Sequence, residues 1–278
     1  MATPAFHPLA APPRRGALGS GVLLVCGLAL LPLLGLLLFA SGGPRGLAGL
    51  HLGADGPHQL LNTIALVLLV GGLTALLGTA SGWVTARCDF PGRRALRIAQ
   101  LLPLATPSYL LAATLIDLGS RLGLRIYGLA PTVLVLVLST YSYVFLLSTE
   151  SFAVSGRRQL EACRSLGVGP WGSFRRVALP MALPAIGAGM ALGGMEVVNE
   201  LGAVELLGVP TLSVGILQRW QQEADPQGAV ALALLALLIV GLLVGAERWL
   251  RRRSRCWNLG NDGDADQRWP LSGGRRWL

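Results

Sequence analysis

The chain of 278 residues contains no lysine: its 23 basic residues are all arginine, set against 14 acidic ones. Charged residues make up 13% of the sequence and hydrophobic residues 53%. A soluble fold of this size would lack the polar surface needed to stay dispersed. The absence of lysine also removes the phosphate-cradling loop GxxxxGK[ST], so the chain carries no ATP-hydrolysing motif of that type. Four cysteines, at 26, 88, 163 and 256, have neither metal-ligand nor redox spacing, and His7, His51 and His58 are equally scattered. Zinc sites and disulfide frameworks are therefore not assigned, and no nucleophile–base pair at matching depth supports an intramembrane enzyme. A net charge of +9 without aromatic-basic interleaving sets topology rather than binding nucleic acid.

What is present is apolar sequence in long blocks, with a mean hydropathy of +0.58. Six segments suffice to cross about 30 Å of hydrocarbon: 17–40, 62–86, 98–118, 128–149, 181–201 and 227–246. The fold class expected is an all-α polytopic membrane protein with six transmembrane helices over 17–247. A segment at 1–16 precedes them and a basic, flexible tail at 248–278 follows. Arg14 and Arg15 before the first block suit a signal peptide, but its apolar run is about twice a typical h-region, so a retained helix is expected.

Distributing the arginines over alternate sides puts nineteen on one side and four (Arg45, Arg121, Arg125, Arg219) on the other. Positive charge retained inside then places both termini and the loop 150–180 in the cytoplasm. Within the spans, Gly78 with Gly82 and Gly189 with Gly193 put small residues one turn apart, the spacing that lets helices approach closely in lipid. Prolines at 32, 103, 107 and 184 predict kinked or broken helices.

The loop "EACRSLGVGPWGSFRRVALP" (161–180) is more structured than a connector requires. Residues 157–166 predict a short helix stopped at Gly167, and Pro170 suits the first turn of a second one. Leu179-Pro180 is expected to end that second helix and turn the chain into the next span. Val168, Trp171 and Phe174 recur every three positions beside Arg164, Arg175 and Arg176. Two readings stand: an apolar knob with a basic rim that docks a protein, or side chains that fold back on the bundle or lie among lipid headgroups.

Glu161-Ala162-Cys163, three residues, Gly167, nine residues, and Val177-Ala178-Leu179-Pro180 resemble the EAA signature of ABC-importer permeases, with Cys163 for its second alanine and Val177 for its isoleucine. The resemblance implies the type I importer architecture, with Glu161, Ala162, Gly167, Val168, Trp171, Phe174, Leu179 and Pro180 forming the coupling element. That element would sit in a groove of a separate ABC ATPase subunit. It implies further partners: a periplasmic substrate-binding protein, a second six-helix permease half and the surrounding lipid. No cofactor is expected on this chain, ATP being bound by the partner. The resemblance extends over roughly 58–250, and residues 101–118 and 193–220 look like the first half of ferric-iron permeases. Those permeases commonly fuse two halves, so a free-standing half and a truncated chain are both expectations.

Iron draws support from the acids after the fifth span: Glu196, Glu200, Glu205, Glu223 and Asp225 against Arg219. Glu196 and Glu200 are expected on one helical face with Asn199 beside them. Fe(III) favours oxygen ligands, and carboxylates near a span are costly unless they meet water or a partner. Glu196, Asn199, Glu200 and Glu205 are thus candidates for a cargo path or for docking the binding protein; pairing with Arg121 and Arg125 is the plainer alternative. Asp117, His51 and His58 are weaker candidates, and Gly208-Val209-Pro210 predicts a turn on the outer side. The same fold carrying a polyamine, thiamine or sulfate is the nearer rival. A secondary transporter would need inverted repeats or a mid-membrane polar pair, which the sequence does not clearly show.

Overall fold

Inside hydrocarbon no water is available to backbone N–H and C=O groups, so a chain this apolar pairs them internally as helices. The computed structural model describes residues 15–42, 50–154, 163, 165–254 and 269–270. Two compact units, Met1–His51 and Leu52–Leu278, divide the chain. The first contains α1 (Arg15–Gly42), which continues through Pro32. Its leucines and valines are exposed, Leu23 at 75% and Leu38 at 69%, as befits an apolar helix that lipid solvates.

The second unit runs α2 (Gly56–Arg87), α3 (Arg93–Ala99), a 3-10 turn (Leu102–Ala105), α4 (Ser108–Arg121) and α5 (Leu129–Val154). It continues with α6 (Pro170–Asn199), α7 (Gly202–Leu206), α8 (Leu212–Gln221) and α9 (Pro226–Ser254). Residues Cys88–Asp89 pair in parallel with Trp269–Pro270. Among the described residues five helices are long and apolar enough to cross a membrane, and six spans result if one bent pair counts as a single span.

That bent pair bears out the kink or break that Pro103 and Pro107 predict in the third span. Residues Arg93–Ala105 and Ser108–Arg121 meet at 96°. Thr106 (φ −95°, ψ 119°) and Pro107 (φ −61°, ψ 136°) are both extended. Pro107 has no N–H to give the preceding turn, and its ring keeps Thr106 out of the helical region.

The fifth span does need a correction, and Pro184 does not break it. Leu179-Pro180 does not end a helix, because α6 runs unbroken from Pro170 to Asn199. Its regular turns open into a π-helical stretch at Phe174–Ala178 and close again from Leu179. In a tighter helix the Pro180 ring would meet the carbonyl four residues back; the wider π turn makes room for it.

Helices α2, α5 and α6 pack through small residues. A Cβ on Gly78 would lie 2.7 Å from the Val144 Cβ and 2.8 Å from the Phe145 nitrogen. On Gly189 it would lie 2.6 Å from the Val144 Cα. These glycines allow backbone-to-backbone approach, the packing expected of their spacing. The patterning is that of a lipid-solvated bundle: α2 buries Thr63, Thr74, Gly78, Gly82 and Thr85 and exposes Leu61, Leu68 and Leu76.

Candidate functional site

Two ends of the second unit carry the residues singled out by sequence. At the arginine-rich end, Gly167 has φ +73° with open space around it, and the Val168 N–H donates to the Cys163 carbonyl at 2.9 Å. This six-residue bond closes a helix C-terminus through a left-handed glycine, as expected for a stop at Gly167. Pro170 then opens α6, with the Ser173 N–H donating to the Gly169 carbonyl at 3.0 Å. Glu161, Ala162, Arg157, Arg158 and Arg164 lie outside the described residues.

The aromatic residues divide between the two readings. Phe174 is 9% exposed and folds onto the bundle, its ring 4.9 Å from Trp83 and 6.1 Å from Phe152. Trp171 is 66% exposed, stacked at 5.3 Å on Phe174 with the Arg175 guanidinium 5.8 Å above its ring. Leu166 is also exposed, at 80%, while Val168 is half-buried. Leu179 packs against the aromatic cluster and Pro180 is exposed. The result is an apolar projection on a base of buried rings. Nearby, burial raises the Cys88 thiol above its ordinary pKa while Arg93 pulls it down, leaving the thiol neutral near pH 7.

At the other end the elbow between the 3-10 turn and α4 walls a cavity of about 340 Å³. Residues 103–109 line one side, Ser139, Thr140 and Tyr143 of α5 another, and Glu196 and Glu200 the third. Several hydroxyl protons are already committed. Thr140 donates to the Leu136 carbonyl at 2.6 Å, Ser139 to the same carbonyl at 3.0 Å, and Thr106 to the Leu102 carbonyl at 3.1 Å. Their lone pairs remain as acceptors beside two carboxylates, and no arginine or histidine is in the lining.

Glu196 is exposed on α6, but Glu200 is not on the helical face expected for it. The helix ends at Asn199, and Glu200 (φ −66°, ψ 127°) is extended. Its Oε2 accepts from the Ser108 hydroxyl at 2.6 Å and its Oε1 from the Ala203 N–H at 2.8 Å. Asn199 turns back to donate to the Met195 carbonyl at 2.8 Å. Glu205 is exposed and absent from the cavity wall. Arg121 pairs with Asp117 at 2.9 Å on its own helix. Among the described residues no three His, Cys, Asp or Glu side chains group closely enough to hold a metal ion.

Sequence reasoning missed Ser108 and Tyr143, which no motif marks, and did not foresee the burial of Arg219. That arginine is 5% exposed and donates to the Leu52 carbonyl. Its isolation on a side nearly free of arginine was the available signal. Gly208 adopts φ +67°, with Val209 N–H donating to the Val204 carbonyl at 2.8 Å, so the expected turn is present.

Residues 75–255 match the family described as the binding-protein-dependent transport system inner membrane component. The chain belongs to this family. It is a multi-pass inner-membrane permease subunit of an ABC importer. A probable sulfate transport permease from Nephroselmis olivacea is 31% identical over 210 residues, 69% of this chain and 74% of that one. A probable molybdenum ABC transporter permease from Haloferax volcanii is 34% identical over 230 residues, covering 78% and 82%. A ferric-iron transport permease from Haemophilus influenzae is 27% identical over 201 residues, which is 72% of this permease and 39% of that longer one. A crystal structure of a bacterial alginate-importing ABC transporter matches with TM-score 0.65 at 16% identity, covering 87% and 97% of the two chains. The inward-facing methionine transporter MetNI matches with TM-score 0.59 at 18% identity, covering 71% and 95%. At such identities the likeness establishes the fold alone.

Proposed function

We propose that this permease carries a hard cationic cargo, ferric iron foremost, along a path that passes the cavity at the elbow. One observation carries the reading. The charged groups of that cavity are the carboxylates of Glu196 and Glu200, and its hydroxyl groups offer lone pairs more than protons. An oxyanion requires donors or cations in its path, whereas Fe(III) takes carboxylate, phenol and hydroxyl oxygens. Glu196 and Tyr143 are the groups proposed to meet the cargo in transit.

In this reading the arginine-rich end is cytoplasmic, and Gly167, Val168, Trp171 and the residues before them dock a separate ATPase. Phe174, Leu179 and Pro180 fix that element to α6. Closure of the ATPase pushes the exposed Trp171 and Leu166, and the buried Phe174 passes the movement to α2 and α5. A binding protein delivers cargo at the opposite end, where Glu205 and the Gly208 turn are exposed or half-exposed. A second six-helix half, from this chain or another, closes the path. A second reading, an oxyanion cargo, is favoured by the sulfate and molybdenum names of the relatives at 31% and 34% identity.

The deciding experiment reconstitutes the permease with its ATPase and binding protein, and measures ATP turnover with Fe(III), sulfate or molybdate supplied. Fe(III) should stimulate turnover, and Glu196→Gln should reduce that stimulation about tenfold, equivalent to roughly 1.4 kcal/mol of cargo stabilisation. Stimulation by sulfate or molybdate alone, indifferent to Glu196→Gln, would overturn the cation reading.

A further inference from the structure

We infer that Glu200 is a positioning residue that sets the elbow of the broken span, rather than a ligand of the cargo. The inference rests on the reading of the elbow cavity as part of the transport path. Glu200 stands where α6 has ended, and each of its polar groups is engaged by a different element. The Oε2 atom accepts from the Ser108 hydroxyl, 2.6 Å away at the first residue of α4. The Oε1 atom accepts from the Ala203 N–H, 2.8 Å away in the first turn of α7. The main-chain carbonyl accepts from the Ser213 hydroxyl in the first turn of α8. Its N–H returns to the Val197 carbonyl of α6 at 3.3 Å. One residue thus joins the starts of three helices to the end of a fourth.

The chemistry of each bond suits this role. A carboxylate facing the first turn of a helix meets N–H groups that have no intrahelical partner. Leu201, the residue at the cap of α7, has no side-chain acceptor, and Glu200 supplies it from one position earlier. The bond to Ser108 matters most for transport. Pro107 leaves α4 attached to the rest of its span by two extended residues, which fix no angle between the two halves. Glu200 holds the start of α4 against α6 across that flexible joint. Since residues 103–109 form one wall of the cavity and Glu196 another, releasing Ser108 changes the distance between the walls. Both carboxylate oxygens accept hydrogen bonds inside the protein, so Glu200 is held in place by Ser108 and Ala203 and keeps only its remaining lone pairs toward the cavity.

A ligand role and a positioning role predict different mutational patterns. Glutamine at 200 keeps an acceptor for Ala203 and presents an amide that donates to the Ser108 oxygen, so it preserves the joint while removing the charge. In proteoliposomes containing the assembled transporter, Glu200→Gln should retain uptake within about twofold. Glu200→Ala and Ser108→Ala should each lower the maximal rate per inserted molecule about tenfold, with the half-saturating concentration of loaded binding protein unchanged. Loss of a charge-assisted hydrogen bond shifts a two-state element by about that factor. The double variant Glu200→Ala/Ser108→Ala should be no worse than Glu200→Ala alone, because that variant has already lost the bond to Ser108.

Were Glu200 a ligand, Glu200→Gln would fail as badly as Glu200→Ala while Ser108→Ala transported normally. Were the residue merely structural, each variant would lower the amount of folded protein and its melting temperature but leave uptake per folded molecule intact. Either outcome overturns the inference. Failure of the path reading is seen separately, as normal uptake by Glu196→Gln.

Discussion

Two stretches of the chain set prolines four residues apart, Pro103 with Pro107 and Pro180 with Pro184, and they fold in opposite ways. Around the first pair the chain bends by 96°; through the second a single helix continues from Pro170 to Asn199. The prolines are chemically the same, so their surroundings decide. Helix α3 and the 3-10 turn before the bend bury no residue. The run through Pro180 buries Phe174, Ala178, Ala182 and Ile186 against Ala86, Val144 and Phe152. Packing along one face holds the second run straight enough to absorb a missing N–H as a π turn, and an unpacked run gives way at its proline. The bend then becomes useful, since its irregular backbone faces a polar cavity where water can reach it.

The largest expected effect removes the packing that distinguishes the two stretches. Phe174→Ala should cost about 3 kcal/mol, the usual penalty for emptying a buried aromatic site, and lower the thermal midpoint in detergent. Trp171→Ala, one turn away and exposed, should cost about 1 kcal/mol or less, the contribution of its stacking alone. It should nevertheless weaken ATPase association, measured by co-purification and by cargo-stimulated turnover. Equal loss of stability in both variants would show that Trp171 is held by the bundle as Phe174 is. Full stability with normal ATPase association in Trp171→Ala would remove it from the docking face.

An intermediate effect is expected at the bend. Pro107→Ala restores an N–H and frees Thr106 from the restriction that a following proline imposes. Alanine is favoured over proline by about 3 kcal/mol inside a helix, so a straighter span competes with the bent one. Spin labels placed at Ala95 and Thr114, both exposed, should report a longer and broader distance, with reduced uptake. An unchanged distance would mean that Glu200 and the α5 contacts set the angle without help from the proline.

Much of this was legible in one sequence, for reasons that particular residues make plain. The series of five or six apolar spans follows from apolar length, which is summed over many residues. Gly78, Gly82 and Gly189 announced close helix approach because a small residue repeated every turn has few other uses in lipid, whereas a side chain at Gly193 would meet only ordinary contact. Gly167 and Pro170 marked a turn because backbone chemistry there is local. A break at Pro103 and Pro107 was expected, but its 96° angle, the absence of one at Pro184, the π turn and the partners of Glu200 were not legible. Proline spacing is the same at both pairs, and only tertiary packing separates them. Glu196 and Glu200 have helical spacing, yet the helix stops between them at Asn199. The partnership of Glu200 with Ser108 spans 92 residues and leaves no pattern in either segment. The burial of Arg219 was not legible because nothing local shows that the loop at Leu52 closes over it.

The smallest expected effect concerns how α3 is held at all, given that it buries nothing. Polar contacts help to bind it and the residue after it. Arg93 Nε donates to the Thr85 carbonyl at 2.6 Å, the Ser142 hydroxyl donates to the Gln100 carbonyl at 2.7 Å, and Arg97 pairs with Glu150 near the end of α5. The last pair is 46% and 54% exposed, so its contribution is at most about 1 kcal/mol and is screened by salt. Arg97→Ala should therefore leave the thermal midpoint nearly unchanged. Its effect should appear in amide exchange across residues 93–99, faster by about fivefold, a change that 1 kcal/mol of local opening energy would produce. Raising the salt concentration should speed exchange in the unaltered protein toward the same rate, and the reversal Arg97→Glu with Glu150→Arg should restore the slower one. Exchange indifferent to all three would assign the hold on α3 to Arg93 and Ser142, and the bent span would then be fixed at its root by neutral acceptors rather than by an exposed ion pair.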